Sequence, residues 1–206
     1  EIKRGISISA SVAPLTWKNT KINVLDTPGL FDFAAGMYEG VRAANNVLIA
    51  LSGKSGVSVG TEKAYRMAKQ AKKPAMFCVT KLDLDNADFY KVLEQLKTVF
   101  GPSVCPVIVP IYESHDVVGY INLIDMKAFA YDTKGNAKEV PMPGTGHRVE
   151  GLIAAISEAV AETDEELFEK YFSGEQFTKE EIMGGIKKGV KDGSITPVVC
   201  CSSFTL

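Results

Sequence analysis

Short runs of apolar residues, each about the length of a β-strand, recur along the chain. They read KINVLD, NVLIALS, AMFCVT, PVIVPI and PVVCC. These runs are nearly continuous and rich in β-branched residues rather than strictly alternating, which is typical of strands that a parallel sheet buries on both faces. The pattern therefore predicts five strands of a mostly parallel sheet.

Segments with helical periodicity separate the first four of these runs. They read DFAAGMYEGVRAAN, TEKAYRMAKQAKK and NADFYKVLEQLKTVFG. The first begins with an Asp, Asp32, that can cap it; Thr61 is the expected N-cap of the second, and Gly101 ends the third. Alternation of strands and helices implies right-handed crossovers, so we predict an α/β fold with a three-layer parallel sheet.

The alternation breaks after the fourth strand. The segment VVGYINLIDMKAFAYDTKGNAKEV has the pattern of antiparallel strands, and two or three helices follow it. Thr163 and Thr178 are expected to cap the last two helices, each with a Glu three residues later that completes a capping box. The predicted division is 1–111 for the main α/β domain, 112–195 for an inserted α+β subdomain, and 196–206 for the last strand and its loop.

Composition excludes several classes of protein. A hydrophobic fraction of 46% and a charged fraction of 23% are ordinary for a globular chain, and the net charge of −2 provides no basic field for nucleic acid or an anionic membrane. No apolar run is long enough to span a membrane, and EIKRGIS lacks the core of a signal peptide. The four cysteines have no zinc-site spacing and are expected to be buried thiols of a cytoplasmic protein.

One candidate site follows the first predicted strand, where Asp26 and Gly29 belong to the sequence DTPG. Ligands bind at the carboxyl ends of strands in an open parallel sheet. In the Asp-x-x-Gly turn of nucleotide hydrolases, the carboxylate holds Mg²⁺ and the glycine N–H points at the γ-phosphate. An ordinary Pro-Gly turn is the alternative interpretation.

Two further candidate segments follow later strands. In TKLD, Asp83 offers two acceptor oxygens to the N1–H and N2–H donors of guanine, which adenine does not have, and the stem of Lys81 can lie along the base. After PVVCC, the small residues Ser202 and Ser203 would let backbone N–H groups approach guanine O6. A solvated loop is the alternative for TKLD, and two serines alone carry little weight.

The stretch Gly53-Lys54-Ser55 looks like the end of a phosphate-binding loop, GxxxxGK[ST]. The position of the earlier glycine is taken by Leu48, inside a predicted strand. We therefore interpret this stretch as a surface loop, and the 206 residues contain no other match to the motif.

The order RGISI, DTPG, TKLD and CSSF, with an insertion before the last motif, resembles the G domain of a translational GTPase. The insertion, with its TDEELFEKYFSGEQFTKEEI, is similar to the one that marks elongation factor G. The details SVAPLTW, SGVSVGTEKAY and TKLD resemble the elongation factor G-like branch more than the housekeeping factor. The likeness spans essentially the whole chain.

The resemblance implies a P-loop GTPase-type sheet that binds GTP or GDP with Mg²⁺, in a cytoplasmic protein whose partner is the ribosome and not a membrane. It places Ser7 and Asp26 at the metal and Gly29 at the catalytic switch II glycine. It also implies that the helices around 167–182 contact a ribosomal stalk protein; a helical lid on the sheet edge is the alternative. The implied nucleotide contacts are Thr80, Lys81, Asp83, Ser202 and Ser203.

The chain departs from the family pattern in three places. Leu30 stands where translational GTPases usually carry the His that orients the attacking water, and Thr80 replaces the usual Asn of the guanine motif. The first strand and the phosphate loop would precede Glu1. We therefore expect a fragment, truncated at its N-terminus, of a longer protein, which by itself binds nucleotide very weakly and is inactive.

Three functional hypotheses follow. The first is a ribosome-dependent GTPase of the elongation factor G-like type. The second is a GTP-gated ribosome-binding module, or a ribosomal protection protein, with weak or no hydrolysis, and Leu30 favours it. The third is an α/β domain that binds no nucleotide and matches the motifs by accident.

Overall fold

The computed structural model describes residues 1–114, 116–132, 136–144 and 147–201. Its helices are α1 (Ala34–Ala43), α2 (Val59–Gln70), α3 (Phe89–Phe100), α4 (His147–Ala161), α5 (Glu165–Phe172) and α6 (Lys179–Asp192). The first five strands are β1 (Ser11–Trp17), β2 (Thr20–Asp26), β3 (Val47–Ser52), β4 (Ala75–Thr80) and β5 (Val104–Pro106). The others are β6 (Ile108–Glu113), β7 (Asp116–Asn122), β8 (Lys127–Tyr131), β9 (Ala137–Val140) and β10 (Thr196–Cys200).

A four-stranded parallel sheet in the order β3-β4-β10-β5 forms the centre of the fold. Phe77 of β4 lies between Ile49 of β3 and Val198 of β10, and Phe77 and Val198 are fully buried. The near-continuous apolar runs of these strands reflect burial on both faces of the sheet. The predicted α/β fold with a parallel sheet is confirmed.

The helix α3 shows why the predicted helical segments form. Its buried residues Phe89, Val92, Leu93 and Leu96 recur at helical spacing, so that one face packs into the core. The Asp88 carboxylate accepts hydrogen bonds from two backbone N–H groups of the first turn, and Gly101 ends the helix with a φ of 81°. The predicted end of this helix at Gly101 is confirmed.

The predicted starts of the two preceding helices were wrong. Ser58, and not Thr61, is the N-cap of α2; Thr61 lies three residues later and completes a capping box with Ser58. Asp32 lies in a short 3₁₀ turn, Phe31–Phe33, and α1 begins after it without a side-chain cap. Several residues in these segments have side chains able to cap, and backbone geometry selects among them.

The run KINVLD was predicted to be a buried strand of the parallel sheet, and this prediction was wrong. It forms β2, which pairs antiparallel with β1 in a separate two-stranded sheet and is exposed at six of its seven residues. Lys18 and Asn19 make the turn with φ values of 42° and 63°, the left-handed backbone of a tight hairpin. An apolar run predicts a strand but does not identify the strand that pairs with it.

The run PVIVPI, predicted as one parallel strand, divides between two sheets. Its first residue, Pro106, ends β5, which pairs with β10 in the parallel sheet. Its residues from Ile108 onward belong to β6, which pairs antiparallel with β7 at one edge of the sheet β6-β7-β8-β9. Between them, Val107 donates its N–H to Val198 in one sheet and accepts a hydrogen bond at its carbonyl from Leu123 N–H beside the other. Antiparallel pairing thus begins at Ile108, while the division at 111 and 112 stays a prediction.

The helices α4, α5 and α6 follow this antiparallel sheet, and α4 contacts both of the others. Thr178 caps α6 in a capping box with Glu181, as predicted. The matching prediction for Thr163 was wrong, because the N-cap of α5 is Asp164 and the Thr163 hydroxyl donates instead to the Val160 carbonyl at the end of α4.

Candidate functional site

Ser7 and Asp26, both predicted from the sequence to hold a metal ion, lie side by side. The Ser7 hydroxyl donates to a carboxylate oxygen of Asp26 over 3.4 Å, although 19 positions separate them. Asp26 is the last residue of β2 and is exposed. The segment that carries Ser7 is held by the Glu1 carboxylate, which accepts the N–H groups of Ile8 and Ser9; these bonds lower the pKa of Glu1.

The turn after Asp26 is anchored against α1. A Cβ added at Gly40 would collide with the Thr27 side chain, and one added at Gly36 would lie 3.0 Å from the ring of the buried Pro28. Gly29 comes next and is exposed, with nothing within 4 Å of the place a Cβ would take. The turn is therefore packed against α1, while the Cα atom of Gly29 borders open space.

The residues after Gly29 form an exposed apolar surface. Leu30 is 47% exposed and Phe31 is 54% exposed. The ammonium group of Lys63, on α2, lies 5.3 Å from the centre of the Phe31 ring and 5.6 Å from that of Tyr38, both within the range of a cation–π contact. The Leu30 side chain faces solvent without any group that can form a hydrogen bond.

The TKLD segment begins at the end of β4. The Thr80 hydroxyl donates to the Leu51 carbonyl of β3 over 3.3 Å, so it holds the ends of the two strands together. Lys81 has a φ of 56°, a left-handed conformation that is unfavourable for a residue with a Cβ. Leu82 turns inward and is 4% exposed, whereas Lys81 and Asp83 are exposed.

Gly53 holds both ends of the TKLD loop. Its N–H donates to the Thr80 carbonyl over 2.7 Å, and its carbonyl accepts from Asp88 N–H over 3.0 Å. A Cβ at Gly53 would lie 2.5 Å from a methyl group of Leu82, so a glycine fits closely here. The interpretation of the GKS stretch as a surface loop describes Lys54 but not Gly53, which is buried.

This role of Gly53 was not predicted from the sequence. The available signal was a glycine directly after a buried strand, which often marks a close backbone approach.

Ser202 and Ser203 lie outside the described residues. The residue before them, Cys201, donates its N–H to the Val79 carbonyl of β4 over 3.0 Å. Because β10 and β4 are parallel neighbours, their carboxyl ends, at Cys200 and Thr80, lie at the same end of the sheet. Cys201 and the start of the TKLD segment therefore lie next to each other.

The predicted site residues thus fall into two groups. One group, with Ser7, Asp26 and Gly29, lies at the hairpin and the turn after it. The other, with Thr80, Lys81 and Asp83, lies at the carboxyl end of β4 in the parallel sheet. The turn that carries Gly29 also approaches α2, the helix that follows β3. A Cβ added to Gly60, in the first turn of α2, would lie 3.8 Å from the Gly29 carbonyl oxygen.

The donor set at Ser7 and Asp26 fits a magnesium ion. Mg²⁺ prefers oxygen ligands and is usually held by one or two protein groups together with substrate phosphates and water. Across the described ranges, no cluster of three or more His, Cys, Asp or Glu side chains could hold a metal ion by itself. A hydroxyl beside one exposed carboxylate is suited to a metal that arrives with a nucleotide.

No helix in the described part of the chain is both long enough and apolar enough to cross a membrane.

The fold and these motifs are those of a nucleotide-binding G domain, and three comparisons with known proteins agree. The family described as "Elongation factor Tu GTP binding domain" matches residues 1–206. A curated relative, the "Elongation factor G-like protein" of Thermotoga maritima, is 34% identical over 204 residues. The crystal structure of a protein from Thermus thermophilus superposes with a TM-score of 0.87 at 36% sequence identity.

The chain therefore belongs to the elongation factor Tu GTP-binding domain family of translational GTPases. The alignments cover 99% of this chain but 29% of the Thermotoga protein, and 96% of this chain but 30% of the Thermus protein. The chain thus spans less than a third of the length of these relatives.

Proposed function

We propose that this chain is the guanine-nucleotide-binding part of a ribosome-dependent translational GTPase of the elongation factor G-like type. The observation that carries the proposal is the contact between Ser7 and Asp26, which brings together the two predicted metal ligands. Family membership supports guanine nucleotide binding, with Mg²⁺ as the metal. Hydrolysis, the ribosome and a cytoplasmic location are inferences for the whole protein.

In this proposal Ser7 and Asp26 act as the nucleotide sensor. When bound, Mg²⁺ would neutralise charge that develops on the phosphates. The Ser7 hydroxyl and the Asp26 carboxylate would turn toward it, and the exposed Gly29 N–H would donate to the terminal phosphate. Loss of that phosphate would free both segments to change conformation, as in other nucleotide switches.

Base selection is assigned to the loop that Gly53 holds. Asp83 would accept two hydrogen bonds from guanine, and Lys81 would lie along the base. Since bonds to a charged acceptor are stronger than neutral ones, Asp83 contributes most of the discrimination against adenine. Ser202 and Ser203 would complete the pocket from the neighbouring loop.

The second candidate function is a GTP-gated ribosome-binding protein that hydrolyses GTP weakly or not at all. The exposed Leu30 favours it, because a hydrocarbon side chain can neither accept a proton from water nor orient it. A ribosomal protection protein is one form of this alternative. A neighbouring polar group, or one that the ribosome supplies, would have to position the water for the first candidate to hold.

The insertion, proposed to span 112–195, is the candidate contact for a ribosomal stalk protein. Its α5 helix exposes two aromatic rings, Phe168 and Phe172, whose centres lie 4.6 Å apart. The helix begins with Glu165 and Glu166. An apolar pair beside acidic residues suits a partner that has an apolar and basic surface.

GTP turnover by the natural protein that contains this chain, with and without ribosomes, separates the two candidates. The matched variants are Leu30→His, which supplies the missing group, and Leu30→Met, which keeps an apolar side chain. Strong stimulation of the unchanged protein by ribosomes supports the GTPase. Stimulation only in Leu30→His supports the binding module, and failure to bind GTP or GDP in any variant contradicts both.

A further inference from the structure

Two cysteine thiols meet near the carboxyl ends of β4 and β10, which precede the two candidate guanine segments. The Sγ atoms of Cys78, on β4, and Cys201, directly after β10, lie 3.2 Å apart. Cys78 is 6% exposed, whereas Cys201 is partly exposed. The hydrogen bond from Cys201 N–H to the Val79 carbonyl keeps Cys201 beside β4.

We propose that Cys78 and Cys201 are an oxidisable pair that closes to a disulfide between β4 and the end of β10. The contact between the two sulfur atoms is the observation that supports this pairing. Cys78 lies opposite Val199 in the parallel ladder, and Cys201 is two residues further on, so the side chains of 78, 199 and 201 share one face of the sheet. A disulfide has sulfur atoms about 2.0 Å apart, so the two thiols need to approach by about 1 Å. Because Cys78 and Cys201 are diagonal neighbours in the ladder, the end of β10 must also move toward β4 as the bond closes.

The surroundings of the four cysteines decide which thiol reacts first. Burial, followed by the hydrogen bond with Cys201, raises the pKa of the Cys78 thiol far above its usual value. Burial also raises the pKa of Cys105 and of Cys200 to about 12 each. Since the thiolate is the nucleophile, these three thiols react slowly with an oxidant in solvent. Cys201 has the exposure that a first reaction requires.

The proposed oxidant is a small disulfide such as oxidised glutathione. The Cys201 thiolate attacks one sulfur of this disulfide, forming a mixed disulfide and releasing one glutathione thiolate, which takes up a proton. Cys78 then loses its proton to water and attacks the Cys201 sulfur, which releases the second glutathione. The two protein thiols are oxidised, and one glutathione disulfide is reduced to two thiols.

Proximity makes the second step feasible despite the raised pKa of Cys78. The two sulfur atoms are already in contact, so this attack is intramolecular and carries the large rate advantage of a preformed geometry. In a reducing cytoplasm the pair stays as thiols and closes only under oxidising conditions. The bond would join the strands two residues before Thr80 and one residue before Ser202.

The test uses the purified 206-residue chain, exposed to rising ratios of oxidised to reduced glutathione at neutral pH. Intact mass and non-reducing peptide mapping then identify the bonds that form. We expect the loss of two hydrogen atoms and one cross-linked peptide pair that contains Cys78 and Cys201. Cys201→Ser should abolish this cross-link, and Cys78→Ser should leave glutathione on Cys201.

Two matched controls are Cys200→Ser, the neighbouring thiol, and Cys105→Ser, a buried thiol elsewhere in the core. Both should form the Cys78–Cys201 bond as readily as the unchanged chain. Thermal melts of all variants show whether each one folds, and Cys201→Ser replaces only a partly exposed side chain. A bond between Cys200 and Cys201, a bond between two chains, or no bond while the chain remains folded would overturn the proposal.

Discussion

The hydroxyl of Ser7 lies 3.4 Å from the Asp26 carboxylate, and a two-stranded hairpin separates them in the chain. The hairpin folds back on itself, which brings residues before β1 next to the end of β2: Ser11 pairs with Asp26. The order of elements therefore converts two distant polar residues into one oxygen-donor pair.

Substitution of this pair should weaken magnesium-dependent nucleotide binding. Ser7→Ala removes one of the proposed oxygen ligands, and we expect the affinity of the natural protein for GTP in the presence of Mg²⁺ to fall by about 10-fold or more. The affinity measured in EDTA should change little. Titration of a fluorescent GTP analogue in both conditions provides the measurement.

The matched control for this pair is Asp32→Asn, which changes a nearby exposed carboxylate in the 3₁₀ turn. It should keep the native affinity. An equal loss of affinity in EDTA and in Mg²⁺ for Ser7→Ala would contradict the role of Ser7 at the metal.

Asp83 should determine the preference for guanine over hypoxanthine. Inosine nucleotides lack the N2 amino group, so the unchanged protein should bind GDP about 10- to 100-fold more tightly than IDP, the value of a hydrogen bond to a charged group. Asp83→Asn should reduce this ratio toward one, and Asp85→Asn, in the same loop, should preserve it. A ratio that is unchanged in Asp83→Asn would remove Asp83 from the base site.

The capping box of α6 should make the stability of the chain depend on pH. The Lys170 ammonium group and the Thr178 N–H lower the pKa of Glu181 below its usual value of 4.5. A carboxyl whose pKa is lower in the folded chain stabilises that chain above the unfolded value, and the contribution is lost as the pH falls through the folded pKa. The free energy of unfolding should therefore decrease as the pH falls below 4.5.

Urea unfolding followed by circular dichroism at neutral pH and at several acidic pH values measures this effect. Glu181→Gln should lower the stability at neutral pH and show a shallower decrease toward acid than the unchanged chain. Glu180→Gln, on the preceding exposed residue, is the control and should follow the unchanged chain. Parallel curves for Glu181→Gln and the unchanged chain would assign the decrease to other carboxyl groups.

Phe77 should be a major contributor to the stability of the core. It is fully buried on β4, one of the two inner strands of the parallel sheet, and its ring stacks with those of Tyr65 and Phe100 at centre distances of 5.4 and 5.0 Å. Phe77→Ala should reduce the free energy of unfolding by about 3–5 kcal/mol, because it leaves a cavity that neighbouring groups fill incompletely. Phe172→Ala, at a side chain that is 71% exposed, should change it little.

The measurement for this pair is again urea unfolding at neutral pH. Similar losses of stability in the two variants would contradict the prediction that Phe77 stabilises the fold far more than Phe172.

Helix caps show how far local sequence carries a structural prediction. Thr178 and Glu181 form the predicted capping box because Thr178 has no competing neighbour. Thr163 has one, since Asp164 also follows α4, and the structure assigns the cap to Asp164. Local signals therefore locate a helix start to within a few residues, and packing decides which polar side chain takes the N-cap.

The sequence by itself determined the α/β pattern, the order of the motifs and the chemical identity of the site residues, because strand and helix periodicity and side-chain chemistry are local properties. Tertiary structure decided which strands pair, so that KINVLD lies in a hairpin and PVIVPI divides between two sheets. It also gave Gly53 its place across both ends of the TKLD loop and brought Cys78 to Cys201. Such contacts join residues far apart in the chain, and their geometry follows from the packing of the whole sheet rather than from any one segment.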